Sequence, residues 1–343
     1  MANLAGVSRS AVSLVLNGRA DGFLAKETQS RIQAAAAQLG YTPNHIARSL
    51  RNQRSRVIGL VSNSAVTGPF DGAIIAGANA TAHQAGFMIF ATDTEDYDDN
   101  GAAATKSLLE RSVDGLIRLT VGLHETTILE SFLTLPAALA NCYPSPDSPE
   151  PAQGLPAFLP DEVAGGQAAA EHLIGLGHTR IAFLGGWHDS PAVLLRERGF
   201  RQAMRAASLP VHEPWVLEAG FEIATGYRAA AQVLDAPAAV RPTAILAGND
   251  RAAVGVTLAA ARLGLQVPAD LSIVGYDDER LIADATVPSL TTMALPFVEM
   301  GSRAMEAVLA RIEPAAASAE PPSGKVLLPC RLVVRESTGP AAE

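Results

Sequence analysis

The chain of 343 residues is long enough for two or three domains, and its 48% hydrophobic and 18% charged residues exclude a disordered protein. No apolar run reaches the ~20 residues that cross a bilayer, the first residues lack an export signal, and Cys142 and Cys330 match no metal spacing. The net charge of −9 is divided unevenly, because residues 1–56 hold eight basic and two acidic residues. We therefore expect a cytoplasmic protein with no membrane partner, in which a small basic head that suits DNA precedes an acidic body.

The head contains a glycine turn followed by a short helix with two different faces. Gly6 can adopt the positive φ of a tight turn, and Ser8 is a good N-cap for the helix that follows. The spacing of Val12, Val15 and Leu16 predicts one buried stripe. The outward face is small and partly polar, and it consists of Arg9, Ser10, Ser13 and Leu14. This arrangement is typical of the recognition half of a helix-turn-helix, with an ordinary amphipathic helix as the alternative.

Residues 5–18 read AGVSRSAVSLVLNG and resemble the recognition segment of the LacI/GalR family of transcription regulators, which is close to A-G-V-S-x-x-T-V-S-x-V-L-N-G. The resemblance implies a small all-α helix-turn-helix head over residues 1–42 that contacts double-stranded operator DNA. It assigns these contacts to Ser8, Arg9, Ser10, Ser13, Leu14 and Asn17. Leu14 stands where many relatives have arginine, so we expect an operator that differs from the commonest one of the family.

The other helices of the head depart from the pattern of that family. Residues 26–39 carry apolar positions at helical spacing, but Ala25 stands where relatives often have a serine N-cap. Only five residues precede Gly6, whereas relatives have a longer first helix. We therefore expect a truncated first helix and a natural start upstream of Met1.

Residues 43–56 are expected to form a hinge helix and a linker. In the resembled family, a segment after a Y-x-P-N turn orders on DNA and inserts a leucine into the minor groove. The resemblance assigns this contact to Asn44, Ala47 and Leu50, with Leu50 as the wedge. A solvated linker with one incidental leucine is the alternative.

From residue 57 onward, apolar runs bounded by turns alternate with alanine-rich helical stretches, one of them near 124–134. This alternation predicts parallel sheets covered on both faces, and two sheets fit the remaining length better than one. The resemblance likewise implies an α/β effector domain over 57–343, with two periplasmic-binding-protein-like lobes built on doubly wound parallel sheets.

Two proline-rich stretches, Tyr143–Pro156 and Pro288–Pro296, are interpreted as crossings between the lobes. The N-lobe then spans residues 57–142 and 289–312. The C-lobe spans residues 157–287 and 325–343, with one final strand near Lys325–Val334.

Polar side chains follow several predicted strands, and ligands of open parallel sheets bind at such strand ends. The segments R-x-x-G-F at Arg196, G-N-D at Asn249 and V-G-Y-D-D at Asp277 match effector-pocket motifs of the LacI/GalR family. The resemblance implies that these three residues hydrogen-bond a sugar or sugar derivative, since guanidinium, amide and carboxylate together satisfy vicinal hydroxyls. The further candidates are Asn63, Phe70, Asn141, Phe158 and Phe221. Asp250 and Asp278 are interpreted as helix caps or structural hydrogen-bonding groups.

Motifs of hydrolases, metalloproteases and nucleotide-binding enzymes are absent from the sequence, so we predict no catalytic residue, no metal and no cofactor. We predict a DNA-binding transcriptional regulator, acting as a repressor and controlled by a small effector. A homodimer is favoured over a tetramer because the tail over 336–343 lacks leucine heptads. The alternative is a periplasmic-type sugar receptor, which would need an export signal and has no use for the basic head.

Overall fold

A computed structural model describes residues 1–16, 20–41, 54–63, 71–94, 101–316 and 319–341. The chain divides into two compact units, Met1–Arg56 and Val57–Glu343. The second unit begins where the apolar strands begin in the sequence. The predicted hinge over residues 43–56 lies mostly outside the described residues.

The head is helical in its described parts. Its helices are α1 (Ala2–Ala5), α2 (Arg9–Leu16) and α3 (Lys26–Gln38). Gly6 has a φ of 65°, as the turn requires, and the Ser8 hydroxyl accepts a hydrogen bond from the Ala11 N–H at 3.2 Å. Ala25 precedes α3 without a capping side-chain hydrogen bond. The predicted cap, turn and third helix are therefore all present.

The core of the head lies among its three described helices, with Ala5 of α1 buried beside residues of α3. Val12 and Val15 pack against Ile32 and Ala35, both of which are buried. Leu16 and Val12 line a surface groove together with Ala2 of α1 and the residues that follow α3, so the predicted stripe is only half-buried.

The body is built from two parallel sheets of six strands each. The strands are β1 (Val57–Ser62), β2 (Met88–Asp93), β3 (Gly115–Thr126), β4 (Ala137–Pro144), β5 (Ala157–Pro160), β6 (Ile181–Gly185), β7 (Val216–Glu218), β8 (Ala244–Ala247), β9 (Ser272–Asp277), β10 (Thr291–Ala294), β11 (Lys325–Leu328) and β12 (Arg331–Val333). The first sheet has the order β11-β5-β4-β3-β1-β2 and the second β12-β10-β9-β8-β6-β7. Only the β10–β12 pair is antiparallel among these described strands.

Helices cover both faces of each sheet. They are α4 (Asp71–Gln84), α5 (Ala102–Glu110), α6 (Glu162–Gly175), α7 (Pro191–Ala206), α8 (Ile223–Leu234), α9 (Asp250–Arg262), α10 (Arg280–Ala283) and α11 (Phe297–Ile312). Ile58 and Leu60 of β1 face α4 and α11, whereas Val61 faces α5. In the second sheet, Leu184 faces α8 and α9, and Phe183 faces α6 and α7. Successive residues of a strand point to opposite faces of the sheet. Because helices cover both faces here, the residues on each face must be apolar. None of the helices in the described ranges is long and apolar enough to cross a membrane.

One of the two predicted crossings between the lobes is wrong. The other, Pro288–Pro296, contains the passage from β10 in the second sheet to α11, which packs on the first. Residues 145–156 connect β4 with β5, and both strands belong to the first sheet. The segment Ala157–Pro160 therefore lies in the N-lobe, not the C-lobe, and β10 lies in the C-lobe sheet. The chain crosses between sheets after β5, after β10 and after β11. Proline content indicated connections, but it carries no information about which sheet the next strand joins.

Two predicted elements were also wrong. The helix expected near 124–134 is a continuation of β3 to Thr126, followed by a 3₁₀ turn over Glu130–Thr134. The single final strand near Lys325–Val334 is two strands, β11 and β12, one in each sheet. Pro329 lies between them and has no N–H with which to continue a ladder.

Helices α6 and α7 cross closely because glycines face each other at the contact. A Cβ on Gly166 would lie 2.2 Å from the Arg196 carbonyl oxygen, and one on Gly199 would lie 2.1 Å from the Val163 carbonyl oxygen. Both clashes would involve backbone carbonyl oxygens, which cannot shift without moving the helices. The crossing therefore depends on the absence of side chains at these two positions.

We expect Gly199→Ala to separate α6 from α7 and to lower the free energy of unfolding by about 1–3 kcal/mol. The matched control is Gly175→Ala, because a Cβ there meets nothing within 4 Å and alanine favours the helix. Urea unfolding followed by circular dichroism measures both variants. Equal stability of the two would contradict the close crossing.

A buried histidine connects the C-terminal segment to the second sheet. His178 Nδ1 lies 3.0 Å from Thr243 Oγ1, and its Nε2 lies 3.0 Å from Ser272 Oγ and 3.1 Å from the Gly339 carbonyl oxygen. Burial lowers the pKa of His178 below its ordinary value of 6.5. The folded protein therefore keeps this ring neutral, whereas the unfolded chain protonates it near that pH.

Because the unfolded chain binds this proton more readily, the contribution of His178 to stability is present above pH 6.5 and is lost as the pH falls below it. We expect His178→Gln to reduce the loss of stability on acidification from pH 7 to 5, by at most about 1.4 kcal/mol per pH unit. The control is His188→Gln. The hydrogen bond to Glu218 raises the pKa of His188, so removing this histidine should increase the loss of stability on acidification. Urea unfolding at several pH values measures both, and an unchanged slope in His178→Gln would contradict the prediction.

Candidate functional site

A group of charged residues lies where strands of the second sheet end. Asp277 is the last residue of β9, and Asn249 follows β8 and Gly248. Arg196 lies on α7, which follows β6, and its side chain reaches the carbonyl oxygen of Gly248. The structure thus brings Arg196 and Asp277 together at this edge, with Nη2 3.6 Å from Asp277 Oδ1.

Arg196 is the centre of a buried network. Its Nε and Nη2 each donate to one carboxylate oxygen of Glu162 at 2.8 Å, and Nη1 donates to the Gly248 carbonyl oxygen at 2.6 Å. The guanidinium carbon lies 3.8 Å from the ring centre of Tyr276. The side chains of Arg196 and Glu162 are only 5% and 1% exposed. Such a two-point contact of a guanidinium with a carboxylate is strong and directional.

Asp277 lies at the boundary of this network, and its backbone is strained. Its side chain is 11% exposed, and its φ of 107° is one that residues other than glycine rarely adopt. Burial raises the pKa of Asp277 well above its usual range, the Arg196 guanidinium opposes this, and the nearby Asp250, Glu162 and Glu279 raise the pKa further. A carboxyl group in such a position, protonated or not, has an oxygen that can accept a hydrogen bond.

Asn249 and Phe221 form a second contact at the same edge. Asn249 Oδ1 accepts the Ala252 N–H at 2.8 Å and so caps α9, while its Nδ2 donates to the Phe221 carbonyl oxygen at 3.0 Å. The Phe221 ring lies against Gly186, where a Cβ would meet the ring at 2.2 Å. Asn249 therefore holds α9 and the Phe221 segment in place, whatever else it binds.

Asp250 is a structural acid, as the sequence suggested. Its Oδ1 accepts the Thr292 hydroxyl at 2.5 Å, and its Oδ2 accepts the Glu279 N–H at 2.7 Å. Burial raises its pKa to about 7. Asp278 likewise accepts a hydrogen bond from Arg335 at 2.7 Å.

The candidates of the first lobe take structural positions as well. Asn63 Oδ1 accepts the Val121 N–H at 2.8 Å, and Asn141 Nδ2 donates to the Thr120 carbonyl oxygen at 3.1 Å. The two asparagines therefore bind consecutive residues of β3. Phe70 lies outside the described residues.

Phe158 requires a correction, because its ring is buried in a core of the first sheet and not at an open strand end. It is 1% exposed and belongs to the core between the first sheet and α11, with Arg303 over its ring at 5.7 Å. The prediction rested on its place in the resembled pattern. Alternation along a four-residue strand directs this position to the α11 face.

Sequence reasoning missed Glu162 and Tyr276. Glu162 follows Asp161 at the start of α6, where acids are expected for the helix dipole alone. A buried arginine demands a carboxylate partner, but 35 acids in the chain could supply it. The only available signal was the glycine pair Gly165–Gly166, which predicts that another element approaches α6 closely there.

The predicted DNA-contacting face of the head is accessible. Ser8, Arg9, Ser10 and Ser13 are exposed, and Leu14 is half-buried. The Ser8 and Ser10 hydroxyls lie 2.8 Å apart. The other predicted contacts lie outside the described residues, namely Asn17, Asn44, Ala47 and Leu50. Within the described ranges, no group of three His, Cys, Asp or Glu side chains could hold a metal ion.

Comparisons with known proteins agree with both units of the chain. Residues 1–44 match the family of bacterial regulatory proteins, lacI family, and residues 170–338 match the periplasmic binding protein-like domain. The ribose operon repressor of Escherichia coli (strain K12) is 33% identical over 314 residues, which cover 91% of this chain and 92% of that protein. The HTH-type transcriptional repressor PurR of Aliivibrio fischeri (strain MJ11) is 34% identical over 315 residues, covering 91% and 90%.

A solved structure extends this agreement to the architecture. The lac repressor dimer bound to operator and the anti-inducer ONPF is 27% identical, with a TM-score of 0.77 over 98% of this chain and 97% of that one. The head and the two-lobed body therefore occur together in a known regulator. The chain belongs to the LacI family of bacterial transcription regulators.

Proposed function

We propose that this regulator acts in the cytoplasm as a homodimeric repressor. It binds an operator with α2, and its affinity for the operator changes when a small effector binds at the strand ends of the body. The observation that carries the proposal is α2 itself, whose valines pack on α3 while Arg9, Ser10 and Ser13 face solvent. Such a helix can enter a major groove with its outer side chains at the base edges.

The charge distribution supports the same function. The basic head attracts phosphates, whereas the acidic body is repelled by DNA and leaves the contact to the head. Two heads in a dimer would then read two half-sites. A sugar receptor with the same body would gain nothing from a basic helical head.

The effector is proposed to bind beside Asp277. This acid is the least enclosed member of the buried network, and its neighbours at the strand ends offer amide and backbone groups as well. A sugar or a sugar derivative supplies hydroxyls that suit a carboxylate. Binding there changes operator affinity through a coupling free energy, typically about 1–3 kcal/mol.

We expect Arg9→Ala to weaken binding to the operator about tenfold or more, because one arginine contact to DNA contributes about 1–3 kcal/mol. The operator is first selected from random duplexes with the full chain. Fluorescence anisotropy at several salt concentrations then gives the affinity and the salt slope. The control is Arg198→Ala, an exposed arginine of the body. Equal loss in both variants, or none in Arg9→Ala, would contradict the assignment.

We expect a thermal-shift screen of neutral sugars and polyols to find a ligand that raises the melting temperature, since a ligand of the folded state stabilises it. Asp277→Ala is expected to abolish this shift, whereas Asp235→Ala, an exposed acid at the end of α8, retains it. The same ligand should change operator affinity about 5–150-fold. A ligand that shifts melting but leaves operator affinity unchanged would count against regulation through this site.

A further inference from the structure

Glu162 lies in the effector site because two helices approach each other unusually closely. Glycines at the α6–α7 crossing bring the first turn of α6 against the middle of α7, within backbone contact distance. Glu162, the first residue of α6, thereby reaches both Nε and Nη2 of Arg196. Its side chain is 1% exposed, so the contact is made without competing water.

This contact leaves Arg196 with few free N–H groups that could bind a ligand. A guanidinium has five N–H groups in a fixed fork, and three of them are donated to Glu162 and to the Gly248 carbonyl oxygen. Asp277 lies beside Nη2 at 3.6 Å, and one face of the guanidinium is covered by the Tyr276 ring. The positive charge of Arg196 is therefore already neutralised inside the protein.

Consequently, the acids around Asp277 leave no uncompensated positive charge at this edge of the described structure. Arg196 is shared by two carboxylates, and Asp250 lies close to the same edge. Glu279 is paired with Arg251 at 3.1 Å, so Arg251 is also engaged. An incoming carboxylate or phosphate would meet acids here and no unengaged guanidinium fork.

We propose that Glu162 determines the charge class of the effector: by occupying Arg196 it excludes anionic ligands, so that the effector is a neutral or cationic molecule whose hydroxyl or ammonium groups donate hydrogen bonds to Asp277. Glu162 is thus a specificity-determining residue that acts through Arg196. The inference rests on the proposed function only in placing the effector at this edge. It excludes sugar phosphates and sugar acids as effectors of the natural chain.

The test measures anion binding with inorganic phosphate and sulfate as probes, against sodium chloride at equal ionic strength. The natural chain and Asp277→Asn should show no saturable rise in melting temperature, because Glu162 still covers Arg196 in both. The double variant Asp277→Asn with Glu162→Gln leaves Arg196 as the one charge of this trio. It should gain a saturable rise of about 2 °C or more.

Two controls locate the gain at Arg196. Adding Arg196→Met to the double variant should remove it. A variant that combines Asp277→Asn with Glu213→Gln should not show the gain. Glu213→Gln removes one of the two carboxylate partners of Arg201, a half-buried arginine elsewhere on α7. Circular dichroism and cooperative unfolding establish that each variant is folded.

Three results would overturn the inference: saturable anion binding by the natural chain that depends on Arg196, binding by Asp277→Asn equal to that of the double variant, or no gain in a folded double variant. If the double variant does not fold, the Asp277→Asn result still decides, since anion binding there means that Glu162 does not shield Arg196. Operator affinity of the natural chain is measured separately. A natural chain that does not bind any operator would contradict the proposed function, but the result of the anion test would stand.

Discussion

The pairing of Arg196 with Glu162 is the constraint on which the rest of the site depends. An unpaired charge at this depth costs several kcal/mol, so the guanidinium can remain buried only while a carboxylate meets it with good geometry. That geometry requires the glycine crossing of α6 and α7. It also fixes the end of β8 through the Gly248 carbonyl oxygen. One arginine thus positions two helices and two strand ends relative to one another.

The same pair lies next to a passage between the lobes. The chain leaves the first sheet at Pro160 and enters α6 at Glu162 after a single residue, Asp161. Cys330, on the later passage from β11 to β12, lies with its Sγ 3.5 Å from the Asp161 carbonyl oxygen. A change in the contacts of Glu162 therefore acts directly on residues that join the lobes. In hinge closure, the changes in φ and ψ are commonly confined to a few such residues between rigid elements.

Sequence reasoning reached the class of fold, because it depends on local patterns. It also placed Arg196, Asn249 and Asp277 near strand ends of one sheet, and their role in binding an effector stays a prediction. Continuous apolar runs predict buried parallel strands, and polar residues after them predict an edge that binds ligands. It failed where the answer depends on distant parts of the chain. No local signal assigns β5 and β11 to the first sheet, and none pairs Glu162 with an arginine that follows 34 positions later. Phe158 was misplaced for the same reason, because the face of a short strand is decided by its neighbours.

The turn at the end of β9 is strained and is held in place by distant residues. Asp277 and Asp278 both have positive φ, at 107° and 56°, and each such residue costs about 1–3 kcal/mol. The turn persists because Arg335 bonds to Asp278 and to Asp284, each at 2.7 Å. Arg335 belongs to the C-terminal segment that His178 fixes to the second sheet further on. Arg335 therefore stabilises the strained turn and fixes the position of Asp277, the residue beside which the effector is proposed to bind.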